Sequence, residues 1–285
     1  LTGEGTDGGV FEVYGRRIVV AGAGRGIGRF LALQLARSGA FVLACSRTAS
    51  DLDSLVADGQ RHGAAISAVV ADLSTVDGVE TMVAEAVADL GGVDALVNNA
   101  GWDTRRPALD YSEIEFDQLI DINLKSAYFA SVAAAKQMIA QGDGGAIVNI
   151  TSQAGISGSM HRAPYSAAKA GLINLTRALA VEWGPHRIRV NALAPGVTLT
   201  DPVRRALESR PGFADEIRER MPMGRPASVE EMSAPIVFLL TRAAAMITGQ
   251  TLVVDGGWTS SWSSSPAAHQ ILGSQHTPEV NTTIS

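Results

Sequence analysis

The apolar run RIVVA at residues 17–21 passes directly into the glycine-rich stretch AGAGRGIG at 21–28, and the chain continues as IGRFLALQLARSG, apolar at helical spacing until Gly39. A strand, a tight turn and a helix in immediate succession leave room for few folds. Such a turn brings backbone N–H groups to a pyrophosphate at the positive end of the helix dipole. That requires Gly22, Gly26 and Gly28 to lack side chains, and it places Arg25 and Ile27 beside the ligand. The competing reading is a glycine turn that binds nothing; the strand-turn-helix setting favours the phosphate site.

Further apolar runs lie near 41–45, 66–71, 94–98, 146–150, 188–193 and 251–254, most of them separated by helical patterns. Near-continuous apolar strands belong to a sheet buried on both faces. The expected fold class is therefore α/β, a doubly wound parallel seven-stranded sheet of the Rossmann-like kind, one domain with helices on both faces. Right-handed crossovers put the ligand at the carboxyl ends of the strands. The glycine loop, Asp72, the NNAG at 98–101, Ser152 and Pro195 all fall at or just after those ends.

Composition bounds the partners. With 285 residues, 46% hydrophobic and 18% charged, the chain can bury a large core as one domain. A net charge of −6 without a Lys/Arg cluster argues against nucleic acid or an anionic membrane as partner. No apolar stretch approaches the roughly 20 residues of a membrane helix, and no signal peptide is visible. The first residue is Leu1, so residues can precede it in the native protein. Cys45 is the single cysteine, which points to a reducing, cytoplasmic setting; within FVLAC it reads as a buried, inert thiol. The histidines at 62, 161, 186, 269 and 276 lack metal-binding spacing, so no metal is expected.

Downstream, YSAAK sets Tyr165 and Lys169 four residues apart, on one face of a helix. A free phenol ionises near a pKa of about 10, and a neighbouring ammonium favours the phenolate, tuning the pair toward neutral pH. Ketone reduction by hydride needs a proton for the developing alkoxide, and alcohol oxidation needs the reverse; Tyr165 is the reversible donor. Ser152, in ITSQAG, can hold the carbonyl oxygen and stabilise its charge. A helix cap is the plain alternative for Ser152, and a surface lysine for Lys169.

Taken together, these features resemble the short-chain dehydrogenase/reductase family in its single-domain form. The matching residues are the glycine loop, Asp72-Leu73, NNAG, Asn123 in DINL, Ser152, YSAAK, Pro195-Gly196 with Thr200, and DGGW at 255–258. The resemblance spans about residues 14–258, with 1–13 and 259–285 read as tails. Ala21 departs from the family's usual Thr. The resemblance implies that Asn123 supports a water linking Lys169 to solvent and that Asp72 binds the adenine edge beside Leu73. It implies that the first Asn of NNAG ties the central strands, and that Asn99, Ala100 and Gly101 line the cofactor. Pro195, Gly196, Thr198 and Thr200 then reach the nicotinamide end, where Tyr165 and Lys169 also contact the cofactor. The segment at about 197–225 becomes a lid, and Trp258 a subunit contact.

The end of the second strand carries Ser46 and Arg47 where NAD-selective folds commonly place an acid. Arg47, with Arg25 near the same edge, can fork onto a 2′-phosphate, so NADP(H) is favoured and NAD(H) is the alternative. Gln153, Ala154, Trp102, Arg105, Met160, His161 and Val197 are candidate substrate neighbours, and Arg105, Arg106, His161 and Arg162 could meet a polar or anionic substrate. A small polar ketone or polyol is favoured over a 3-oxoacyl thioester. An NAD-dependent alcohol dehydrogenase, a dehydratase or epimerase, and a cofactor-sensing binding module are further alternatives. The family's enoyl reducers use a wider Tyr-to-Lys spacing. Ala-rich outer faces on 113–140 and on the Tyr165 helix suggest close packing into a homotetramer.

Overall fold

The computed structural model describes residues 9–260. Seven strands form one parallel sheet: β1 (Arg17–Ala21), β2 (Phe41–Ser46), β3 (Ile66–Val70), β4 (Ala95–Asn98), β5 (Gly145–Ile150), β6 (Ile188–Pro195) and β7 (Thr251–Val254). Their spatial order is β3-β2-β1-β4-β5-β6-β7, so the order reverses beside β1, between it and β4. That reversal opens the crevice in which doubly wound folds bind ligands.

Period-two alternation makes each strand feed two cores at once. Ile18 and Val20 of β1, with Val42 and Ala44 of β2, face one side, where they meet α1 (Gly26–Arg37), α2 (Ala49–Arg61) and α9 (Val229–Leu240). Val19 and Ala21, with Leu43 and Cys45, face the other side and meet α3 (Val76–Leu90), α5 (Ser126–Gln141) and α6 (Ala163–Trp183). Cys45 is buried there, and desolvation pushes its thiol up to about 12, as an inert core residue requires.

The segment 113–140 is not one regular helix. It is built as α4 (Glu113–Ile120), a π-helical turn Asp121–Lys125, and α5. A capping box of Ser112 and Glu115 starts α4. The π turn widens the backbone at Asn123, the kind of local departure that often marks a functional position.

Between β6 and α9 the chain folds α7 (Asp201–Ser209) and α8 (Phe213–Arg220) over the carboxyl rim. Phe213, Ile217 and Met221 are buried in a small cluster of their own with Val203, Leu207 and Trp258. Trp258 packs on this cluster, with Arg220 Cζ 4.4 Å from its ring centroid.

The N-terminal tail ends earlier than residue 13. Val13 is buried in the first core, and the Ala243 N–H donates to the Val10 carbonyl at 2.8 Å. Residues 1–8 and most of the C-terminal tail, 261–285, lie outside the described residues.

Candidate active site

Gly22 has φ +81°, and a Cβ there would stand 2.7 Å from the backbone of Ala100. The loop after β1 can therefore lie against the loop after β4 only with glycine at that point. Asn99 locks the two together, its Nδ2 donating to the Gly22 carbonyl at 2.8 Å. Ala21, in place of the family's usual Thr, is a buried core residue here.

Two clefts meet along these loops. The first is lined by Gly22, Arg25, Ser46, Arg47, Leu73 and Ala100. The second, of about 690 Å³, is lined by Gly26, Ile27, Asn123, Ser152, Tyr165, Lys169, Pro195, Gly196, Thr198 and Thr200, among others. Arg25, Asn99, Gly101 and Trp102 border both clefts, which makes one trench across the switch point of the sheet. Its ends fit the two halves of a dinucleotide, and its middle is the glycine-lined backbone that a pyrophosphate needs.

Two predicted cofactor residues line neither cleft: Gly28, where a Cβ would collide with the Gly22 carbonyl oxygen, and Asp72. Its carboxylate accepts from the Ser74 N–H at 3.0 Å and the Ser74 hydroxyl at 2.8 Å, while Ala71 and Leu73 line the trench. Asp51 reaches the trench from the first turn of α2, beside Ser46 and Arg47. The sequence reading found no acid near that edge because it looked only at the end of β2; Asp51 is brought in by the fold.

β5 and α6 bring the candidate catalytic residues to one cleft. Ser152 follows the end of β5 and is buried; its Oγ accepts from the Ala154 N–H at 3.1 Å, the turn role that was the plain alternative, and Ser152 also lines the cleft beside Tyr165. Lys169 is buried on α6 and donates from Nζ to the Ile150 carbonyl at 2.9 Å. Asn123 donates from Nδ2 to the carbonyls of Trp102 at 2.8 Å and Leu119 at 3.0 Å, which aims its Oδ1 away from both. That Oδ1 is buried without a protein partner. A Cβ on Gly101 would stand 2.5 Å from Asn123 Oδ1 and 3.4 Å from Lys169 Nζ, so the two groups converge on one point.

Desolvation pushes the Tyr165 phenol above its ordinary value, with the Arg162 guanidinium and a hydrogen bond with Ser152 pulling it back. Arg162, not anticipated from the sequence in this role, has its Cζ 4.6 Å from the Tyr165 ring centroid, and Lys169 Nζ lies at 5.7 Å. Burial drives Lys169 itself down to about 8.

Below the site, the NNAG motif does what the resemblance implied for its first Asn. Asn98 and Asn149 are register partners on β4 and β5, and Asn98 Nδ2 donates to Asn149 Oδ1 at 2.8 Å. Ser131 on α5 and Thr176 on α6 complete the string at 2.9 Å each. Sequence reasoning missed Asn149, Ser131 and Thr176; a lone polar residue in the apolar run 146–150 was the available signal. Among the described residues, no His/Cys/Asp/Glu group could hold a metal, and no helix is long and apolar enough to cross a membrane.

Fold and site together define a nicotinamide-type oxidoreductase architecture, and the similarities to known proteins agree. A family model described as enoyl-(acyl carrier protein) reductase matches residues 22–259. The chain is 39% identical over 252 residues to 2-dehydro-3-deoxy-D-gluconate 5-dehydrogenase of Escherichia coli, covering 87% of this chain and 97% of that protein. It is 40% identical over 247 residues to L-xylulose reductase of Bos taurus, covering 87% and 98%. A crystal structure of gluconate 5-dehydrogenase from Burkholderia cenocepacia, in complex with NADP and tartrate, superposes with a TM-score of 0.83 at 35% identity, covering 88% and 98%. The chain belongs to the short-chain dehydrogenase/reductase family. It is an oxidoreductase of carbonyl and secondary-alcohol groups, moving a hydride to or from a nicotinamide.

Proposed function

We propose that this protein is an NADP(H)-linked enzyme that interconverts a small polyhydroxylated ketone, of the sugar-acid or polyol class, with its secondary alcohol. The observation that carries this reading is polar: Gln153 Oε1 and Asp103 Oδ1 are buried acceptors without protein partners on the wall of the reaction cleft. Buried acceptors left unpaired cost about 1–3 kcal/mol each, so a ligand rich in hydroxyl donors suits the site better than an apolar ketone. Arg105 borders the same cleft and can meet a carboxylate. The relatives named for gluconate derivatives and xylulose share this substrate chemistry.

When bound, the nicotinamide supplies the hydride. Ser152 donates to the substrate's carbonyl oxygen and stabilises the charge that develops there. Tyr165 gives that oxygen its proton in reduction and removes it in oxidation. Lys169 and Asn123 face the point beside Gly101 from two elements, an arrangement suited to holding a water that restores the proton. Ser46, Arg47 and Arg25 offer hydroxyl and guanidinium donors to a 2′-phosphate, with NAD(H) as the alternative cofactor. The Tyr165-to-Lys169 spacing of four residues favours carbonyl over enoyl reduction, whatever the matching family model is called.

The helices α7 and α8 form a lid over the cleft, since their apolar cluster is separate from both main cores and can shift as a unit. A cytoplasmic homotetramer is the setting we favour. Sugar acids and polyols with NADP⁺, and their ketones with NADPH, followed by absorbance of the reduced nicotinamide, test the function. Turnover confined to 3-oxoacyl thioesters or to apolar cyclic ketones overturns it.

A further inference from the structure

We propose that Arg162 is a positioning residue for proton transfer: its guanidinium, held by Asp103, lies over the Tyr165 ring and favours the phenolate. The inference rests on Tyr165 being the acid/base of the proposed reaction. Arg162 immediately precedes α6, where a cation faces the positive end of the helix dipole. It also shares its cleft with Lys169 and Arg105. A cation in so unfavourable a place needs a partner, and Asp103 supplies one at 2.7 Å, with side-chain exposures of only 15% and 24%.

The pair is built in by the loops that carry it. The Arg106 N–H donates to the His161 carbonyl at 2.9 Å, and the Tyr111 hydroxyl spans the carbonyls of Thr104 at 2.8 Å and His161 at 3.1 Å. His161 holds a left-handed backbone with φ +62°, a cost that a non-glycine residue bears only where its surroundings enforce it. The loop after β4 and the turn before α6 are thereby clasped, and Arg162 is left 4.6 Å over the tyrosine ring.

A cation over the ring face interacts with the electron-rich phenolate more strongly than with the neutral phenol. The other charged or titratable groups lining the cleft with the phenol are Lys169 on α6, His161 in the turn before it, Asp103 and Arg105 on the β4 loop, Arg25 on the glycine loop, and Asp201, Arg210, Glu216 and Arg220 in the lid segment. The charge of Asp103 opposes ionisation of the phenol, as burial does, while its carboxylate anchors the cation that promotes it. Arg162 and Asp103 therefore act on Tyr165 with opposite sign.

The test reads the phenol directly and needs no substrate. Protein carrying tyrosine labelled at Cζ with the NMR-active carbon isotope is titrated with pH in the presence of saturating NADP⁺, with Y165F assigning the signal among the four tyrosines. R162M is expected to raise the Tyr165 midpoint by about one pH unit or more, and R162K to restore it to near the wild-type value. A wild-type midpoint in an R162M protein that melts and binds NADP⁺ normally overturns the proposal. Should R162M fail to fold, R162Q is titrated in its place, and a wild-type midpoint there overturns it. Lack of turnover on sugar acids and polyols would sink the substrate reading and leave this titration untouched.

Discussion

Lys169 sends its ammonium from α6 to the carbonyl oxygen of Ile150, 2.9 Å away at the end of β5, so the strand that presents Ser152 also anchors the buried cation beneath the reaction cleft. The anchor fixes where the positive charge stands. It does not remove the cost of burying it, which is why Lys169 is driven down to about 8 from its ordinary 10.5.

Replacement of Lys169 by Met separates stability from activity. The native state binds fewer protons at this site than the unfolded chain between the folded value of about 8 and the ordinary value of 10.5, so the wild type gains stability as pH rises through that window. Lys169→Met lacks the penalty and is expected to melt higher than wild type below pH 8, by an amount on the order of 1–3 kcal/mol. The advantage shrinks toward pH 10.5, and activity falls at every pH. Thermal melts across pH check this, and a destabilised variant at neutral pH refutes it.

Tyr165→Phe removes the proton donor and leaves the trench intact. Its turnover is expected to drop by at least about 10²-fold, the usual scale of general acid–base assistance. NADPH affinity should stay near wild type, because the phenol faces the reacting oxygen and the glycine loop does not depend on it. Stopped-flow kinetics with parallel fluorescence titration tells the two effects apart.

The adenosine end of the trench combines Arg47 with Asp51, a cation and an acid of opposite consequence for a 2′-phosphate. NADPH is expected to bind at least about tenfold tighter than NADH, a difference of about 1.4 kcal/mol. Arg47→Ala should erase that preference. Asp51→Asn should enlarge it, by relieving repulsion of the phosphate. Equal affinities for the two cofactors in the wild type would contradict the assignment of Arg47.

Asn98→Ala is expected to destabilise the protein by about 1–3 kcal/mol, since Asn149 Oδ1 and Ser131 then remain buried without their partner. The register pairing of Asn98 with Asn149 places this string across β4 and β5 directly under the trench. Chemical denaturation measures the loss; a neutral substitution shows that the string is dispensable.

Assembly follows from faces the chain leaves uncovered. Leu109, Ile114, Phe116 and Tyr128 are exposed in and before α4 and on α5, and Val181 is exposed on α6. We propose that these helices pair across one two-fold axis and the last strand region across a second, as a homotetramer. Light scattering after size exclusion is the measurement: a monomer at micromolar concentration contradicts the expectation, and a dimer supports one of the two interfaces.

The strand pattern, the glycine turn and the set Ser152, Tyr165 and Lys169 were legible in the sequence because each is local. Apolar runs set the sheet, backbone crowding requires Gly22, and a four-residue helical spacing puts two side chains on one face. The chain alone also marked the polar reach of Arg105 and Arg162. What the tertiary structure decided is which charges stand near which groups. Arg162, held by Asp103 on another loop, joins Lys169 as a second cation over the Tyr165 ring, while Lys169 is also bonded to the Ile150 carbonyl. Asp51 enters the cofactor trench from the start of α2, Asp72 bonds to Ser74, and Asn123, in a π turn, and Lys169 both come close to Gly101. Distances between segments far apart in sequence, and the desolvation that sets their pKa values, exist only once the chain has folded.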